Sequence, residues 1–160
     1  MTNRQPNNKH KGISFENFVE HKLTENQINI SDCAERRYTE TYQQNTEIDR
    51  LICDRDGAEK AILEIKSGVF HDVNQAQRLV ALAQQEDLNL VFATPDGTTD
   101  QFSPRVIEEL NKGKFETINP SNPKTTGNLA WEDMVTENFS RDDSYSSTRK
   151  ARNQHRRSNR

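Results

Sequence analysis

The sequence lacks the features that mark secreted, membrane-spanning and zinc-binding proteins. Its only two cysteines, Cys33 and Cys53, form neither a C-x-x-C pair nor a spacing typical of zinc ligands, so two thiols are expected rather than a disulfide. No run approaches the roughly 18 apolar residues of a membrane-spanning helix, and residues 1–9 contain no apolar signal segment. These absences predict a soluble, cytoplasmic protein without a membrane partner.

Several motifs of known chemistry are also missing. The sequence shows no Gly-rich phosphate loop, no Ser/His/Asp set and no internal repeat. Hydrophobic residues make up 31% of the 160 positions, and the mean hydropathy is −1.05. The length predicts one domain, and the low apolar content predicts a compact core with part of the chain outside it.

Charge of the two signs is unevenly distributed. The chain carries a net charge of −3, but residues 140–160 hold seven Lys or Arg against two Asp, a balance of +5, which leaves −8 for residues 1–139. The basic tail is typical of a disordered segment with affinity for nucleic acid or another acidic surface. The acidic body is not what a DNA-binding surface that relies on phosphate neutralisation would show.

The most informative stretch is residues 47–67, which predicts a β-hairpin. Two β-prone runs, residues 48–53 and 61–65, are separated by turn residues 54–57. Gly57 ends that turn and tolerates a positive φ.

This hairpin presents charged side chains where a core strand would have apolar ones. Because side chains alternate along a strand, Glu64 and Lys66 share a face with Ile62, and Asp49 on the partner strand could lie opposite them. Two carboxylates beside one ammonium group suit a divalent metal, Mg²⁺ or Mn²⁺, with a lysine that orients a water or offsets charge on a phosphate. The alternative interpretation is a solvated strand face with an ordinary ion pair.

An amphipathic helix of about ten residues is predicted near the N-terminus. Ser14 is its expected N-cap. Glu16 and Glu20 are four residues apart and therefore neighbours on one flank, which is either a solvated flank or part of a site. The apolar stripe beside them comprises Phe15, Phe18, Val19 and Leu23.

The remaining elements are predicted from periodicity and capping residues. A first strand is expected near residues 38–42, ahead of a turn near 44–46. Asp72 is the expected cap of a helix over residues 73–86, and Gln75 flanks the buried stripe of that helix. Further predicted elements are a strand over residues 88–94, a helix that starts at Ser103-Pro104 and ends near residue 111, and an edge strand over residues 114–119.

These elements define the expected domain organisation. Residues 1–11 are predicted to be a disordered lead-in and residues 12–119 the folded domain. Residues 120–139 form a C-terminal extension, either a helix packed on the body or a partner-binding segment, and residues 140–160 form the basic tail. His71 is assigned no role.

The charged positions of the hairpin resemble a nuclease motif. Asp49, fourteen intervening residues and then Glu64-Ile65-Lys66 are similar to the PD-(D/E)xK pattern of the restriction-endonuclease-like superfamily. The segment LEIKSG resembles the Holliday-junction resolvases and bacterial toxin nucleases of that superfamily, and GISFENFVEHKL resembles the helix that opens its resolvase-type members. The chain departs from the pattern at Ile48, where the motif has proline.

The resemblance implies a fold and a set of roles. The fold would be α/β, with an αβββαβ core, an extra helix and strand, and a mixed sheet flanked by helices; periodicity independently predicts the same element order. The metal ligands would be Asp49, Glu64 and Glu16, with Glu20 as the alternative helix-borne acid. Lys66 would position the attacking water, and Gln75 would steady Lys66 or the phosphate.

Three functions remain open at this point. The first is a metal-dependent endonuclease that hydrolyses phosphodiester bonds, with DNA favoured over RNA as substrate and Mg²⁺ or Mn²⁺ as cofactor. The second is a toxin nuclease, secreted or delivered, that acts on tRNA or DNA and is neutralised by an immunity protein. The third is a non-catalytic nucleic-acid-binding module. The resolvase-like relatives are dimers, so a homodimer is a further alternative.

Overall fold

The computed structural model describes the backbone of residues 8–123 and the side chains of residues 14–123. This part of the chain is α/β, which confirms the predicted class. The predictions for residues 1–7 and 124–160, the basic tail included, lie outside the described residues. The elements are α1 Asn8–Glu25, β1 Glu35–Thr39, a 3-10 helix Glu40–Tyr42, β2 Gln44–Ile48, β3 Arg50–Cys53, β4 Glu59–Ile65, α2 Val73–Glu86, β5 Asn89–Ala93, α3 Pro104–Leu110 and β6 Phe115–Ile118.

The main sheet has four strands in the order β3-β4-β5-β6. β3 is antiparallel to β4, while β4, β5 and β6 are parallel to one another. Parallel neighbours require crossover connections, and α2 and α3 provide them. β1 and β2 form a separate antiparallel pair.

Apolar side chains cover both faces of the main sheet. On one face, α2 and α3 pack against residues that include Ile62 of β4 and Phe92 of β5. On the other face, α1 packs against Leu63 of β4 and Val91 of β5. Since side chains alternate along β4, Glu64 belongs to the same face as Ile62, beneath α2. No helix among residues 8–123 is long and apolar enough to cross a membrane.

The predictions for α2 and α3 are confirmed by their capping contacts. The side chain of Asp72 accepts a hydrogen bond from the Gln75 amide at 3.0 Å, and Ser103 accepts one from the Val106 amide at 3.2 Å. Pro104 occupies the first helical position. The turn of the hairpin places Gly57 at a φ of 90°, as expected.

The predicted start of α1 at Ser14 is wrong. The helix begins at Asn8, so Ser14 lies in its interior and residues 8–11 are helical rather than part of a lead-in. Hydrophobic periodicity detects only the turns that a helix buries, and the first turns of α1 are polar in sequence.

The predicted strand order before α2 is also corrected. The expected strand over residues 48–53 is split at Asp49, so that Ile48 ends β2 and residues 50–53 form β3, and these two strands belong to different sheets. Residues 44–46, predicted as a turn, lie in β2, whereas the chain reverses through the 3-10 helix Glu40–Tyr42. This reversal has no glycine or proline to signal it, because Gln43 takes the left-handed conformation with a φ of 52°.

Candidate active site

The structure brings together the two acids of the predicted motif. The Asp49 amide donates a hydrogen bond to Glu64 Oε2 at 2.9 Å, and the Ile65 amide donates one to Asp49 Oδ2 at 2.8 Å. Asp49 can do this because it lies in the break between β2 and β3. Each carboxylate therefore holds a backbone amide at or next to the other acid. The second oxygen of each carboxylate takes no part in these two hydrogen bonds.

Among the carboxylic acids of the described residues, Glu64 has the most strongly shifted pKa. Its side chain is 1% exposed, and this burial, followed by the neighbouring Asp49 carboxylate, raises the pKa of Glu64 to about 8. The Lys66 ammonium group and the Asp49 amide act in the opposite direction, while Glu47 raises the pKa further. A buried acid beside a second carboxylate is stabilised by a proton or by a cation.

The charge of Lys66 acts on Glu64, but the Lys66 side chain is held by a different partner. Its Nζ donates a hydrogen bond to Gln75 Oε1 at 2.8 Å and lies 4.2 Å from the centre of the Phe70 ring. Gln75 is in the first turn of α2, where the Asp72 cap fixes the backbone. The contact between Lys66 and Gln75 matches the predicted supporting position of Gln75.

Glu16 and Glu20 do not join the carboxylate pair. Both acids contact the buried guanidinium of Arg50: Glu20 accepts from its Nε at 2.9 Å and from its Nη2, and Glu16 Oε2 lies 3.2 Å from Nη2. Arg50 Nη1 in turn donates to the Asp49 carbonyl oxygen at 2.6 Å. The helix acids thus contact the site through Arg50, which sequence reasoning missed.

The carboxylate oxygens of Asp49 and Glu64 fit a magnesium or manganese ion that is held by two carboxylates. Among the side chains of residues 14–123, no group of three or more His, Cys, Asp and Glu is placed to share a metal. Mg²⁺ is commonly bound by only one or two carboxylates, with waters and substrate phosphate as its other ligands. Asp49 and Glu64, which line one pocket, meet that requirement, and a divalent cation would offset their negative charge.

Two depressions on the protein surface are lined by residues of the predicted motif. A pocket of about 360 Å³ is lined by Asp49, Glu64, Gln75, Arg78 and three further polar residues, Thr46, Glu47 and Asp72. A wider crevice of about 690 Å³ begins at Lys66 and continues along the loops that follow β4 and β5, where His71 lines it.

Arg78 in the smaller pocket is a second residue that sequence reasoning missed. It lies three positions after Gln75, and residues three apart on a helix are neighbours on one face. That spacing was the available signal.

Comparison of the chain with protein-family models, with curated proteins and with solved structures gave no significant match.

Proposed function

We propose that this protein is a metal-dependent phosphodiesterase of the restriction-endonuclease-like type, with DNA as the favoured substrate. The observation that carries the proposal is the pairing of the buried Glu64 with the half-buried Asp49 through backbone amides, with the charge of Lys66 acting on Glu64. A plain solvated strand face would not bury a carboxylate next to another one.

Each residue has a distinct task in this proposal. Asp49 and Glu64 would hold Mg²⁺ or Mn²⁺, which when bound supplies Lewis-acid polarisation of the phosphoryl group. Lys66 directs its ammonium group at the attacking water and offsets negative charge that grows on the scissile phosphate. Gln75 fixes the position of Lys66 through their 2.8 Å hydrogen bond.

The test is cleavage of branched, linear and single-stranded DNA, and of RNA, with Mg²⁺ and with EDTA. Wild-type protein should cleave only with metal, and Glu64→Ala and Lys66→Ala should abolish cleavage while the circular dichroism spectrum stays unchanged. The matched controls are Glu108→Ala and Lys114→Ala, which alter exposed side chains away from the pocket and should keep wild-type activity. Retained cleavage in both site variants would disprove the assignment.

The acidic charge of residues 1–139 favours a second candidate, a toxin nuclease that acts on tRNA or DNA and is bound by an immunity protein. A substrate that enters a small cleft needs less positive surface than a broad duplex contact. Preferential cleavage of total RNA over plasmid DNA would support this candidate.

Calorimetry with Mn²⁺ tests the non-catalytic alternative. A nuclease should give binding heat that is lost in Asp49→Ala, whereas a nucleic-acid-binding module should give none.

A further inference from the structure

The side chain of Arg78 lines the acidic pocket and has no partner among the described side chains of residues 14–123. It extends from α2, and its Nε is buried without a hydrogen-bond partner. Within residues 14–123, the side chain of Arg78 has no hydrogen-bond or ion-pair partner. Four acids line the same pocket: Glu47, Asp49, Glu64 and Asp72.

Two other arginines of the described residues, Arg37 and Arg50, have several acid partners. Arg37 contacts three glutamates at 2.6 to 3.3 Å, and Arg50 contacts two. A guanidinium is always charged and carries five N–H donors, so a buried donor without an acceptor is unfavourable. An external acceptor would remove that cost.

Phosphate is the ligand that best fits this guanidinium. Its planar donor fork matches phosphate oxygens in a bidentate arrangement. The pocket acids would repel an anion by themselves, but a cation held by Asp49 and Glu64 would offset that repulsion and share the phosphate with Arg78.

We propose that Arg78 is a substrate-binding residue that holds a phosphate group of a nucleic acid in the pocket it shares with Asp49 and Glu64. This inference rests on the proposed phosphodiesterase function and adds a residue to the substrate site. It also places substrate contact on α2, the helix that carries Gln75.

The experiment measures binding separately from cleavage. The probe is a fluorescein-labelled single-stranded phosphorothioate DNA, which keeps one negative charge at each linkage but resists hydrolysis. Its dissociation constant is measured by fluorescence anisotropy in Mg²⁺ at several salt concentrations. The proteins are the full-length wild type, Arg78→Gln, Arg78→Lys and the control Arg105→Gln, which removes an exposed arginine of α3.

Arg78→Gln should weaken binding about tenfold or more, because a charge-assisted contact is lost. It should also reduce the slope of log K against log[salt] by about 0.7, the value for one phosphate contact to a single strand. Arg78→Lys should restore the slope but only part of the affinity, and Arg105→Gln should match the wild type. In cleavage assays of unmodified DNA, Arg78→Gln should raise KM more than it lowers kcat.

The possible results separate this inference from the function on which it rests. Metal-dependent cleavage by the wild type with unchanged KM, affinity and salt slope in Arg78→Gln would overturn the role of Arg78 alone. Arg78-dependent binding without cleavage would support the phosphate contact and overturn the hydrolase. A purely structural role would lower the urea midpoint of Arg78→Gln without changing its salt slope, and this too would overturn the inference.

Discussion

At the scale of single residues, Glu64 is the described acid whose pKa is changed most by folding. Burial raises the pKa of Glu64 from its ordinary value of 4.5 to about 8, so the folded protein binds this proton more tightly than the unfolded chain does. The resulting stability is fully present below about pH 4.5 and is lost as pH rises through about 8. Ionised Glu64 is therefore a source of instability in the metal-free protein at neutral and alkaline pH.

Replacing Glu64 by glutamine should stabilise the metal-free protein at pH 8. Glutamine cannot ionise, yet its carbonyl can still accept the Asp49 amide hydrogen bond. The free energy of unfolding should exceed that of the wild type at pH 8 by about 4 kcal/mol, and the difference should shrink toward pH 5. Urea denaturation in EDTA at both pH values measures this, with Glu108→Gln as the exposed control. A Glu64→Gln protein less stable than the wild type at pH 8 would contradict the prediction.

At the scale of elements, Arg50 joins α1 to the start of β3. Its side chain is buried, contacts Glu16 and Glu20 of α1 and donates to the Asp49 carbonyl. The orientation of α1 is therefore coupled to the backbone of a candidate metal ligand, which gives the helix acids a positioning role.

Arg50→Met should lower both stability and activity. The loss of the guanidinium leaves two partly buried glutamates without their cation, at a cost of about 2–3 kcal/mol in the free energy of unfolding. Because Asp49 loses a backbone contact, kcat should fall as well. A double-mutant cycle with Glu20→Gln should show coupling, and Arg36→Met, whose ion pair with Glu47 is exposed and 3.9 Å long, should cost little. Additive effects of Arg50→Met and Glu20→Gln would argue against the link.

The turn after β5 offers a second test at this scale. Gly97 has a φ of 72°, and a Cβ there would lie 2.9 Å from the amide nitrogen and the Cβ of Asn119. Gly97→Ala should therefore lower the free energy of unfolding by about 1–3 kcal/mol. Gly68, where a Cβ meets nothing within 4 Å, is the matched control and should change it by less than about 0.5 kcal/mol. Equal urea midpoints for the two variants would exclude this close approach.

The sequence predicts some elements better than others for physical reasons. The caps Asp72 and Ser103 are local hydrogen-bond signals, so α2 and α3 were predicted correctly. The break at Asp49 depends on which strand each half of the chain pairs with, and pairing is not a local property. The polar beginning of α1 lacks the apolar repeat from which helices are predicted.

The same distinction holds for the candidate site. The spacing of Asp49, Glu64 and Lys66 reflects a single hairpin, and that arrangement could be deduced from strand alternation. The partners of Glu16, and the isolation of Arg78 from any acceptor, depend on how separate elements pack. The resemblance to the nuclease superfamily therefore implied a metal role for Glu16, and sequence spacing overlooked both arginines.

At the scale of the whole molecule, the distribution of charge is the property that bears on substrate capture. Residues 1–139 carry −8 and residues 140–160 carry +5. If the proposed function holds, a nucleic acid would be repelled by the charge of residues 1–139 and attracted by that of residues 140–160, and salt would screen both effects.

Replacing Arg152, Arg156, Arg157 and Arg160 by glutamine should weaken capture of DNA. The KM for cleavage should rise at low salt, and the difference from the wild type should shrink as salt increases, because the lost attraction is electrostatic. The kcat should stay unchanged, since none of these four residues belongs to the motif of Asp49, Glu64 and Lys66. Cleavage kinetics at two ionic strengths measure this, and an equal change in KM at both would contradict it.

The reciprocal amide contacts of Asp49 and Glu64 make the site observable without any substrate. The nitrogen-bound proton of Asp49 is hydrogen-bonded to Glu64, and that of Ile65 is hydrogen-bonded to Asp49. In a ¹⁵N-resolved magnetic resonance spectrum, these two signals should report separately on the two carboxyl groups. A titration would then follow the ionisation of each acid, and the binding of a cation, through changes in the amide signals of Asp49 and Ile65.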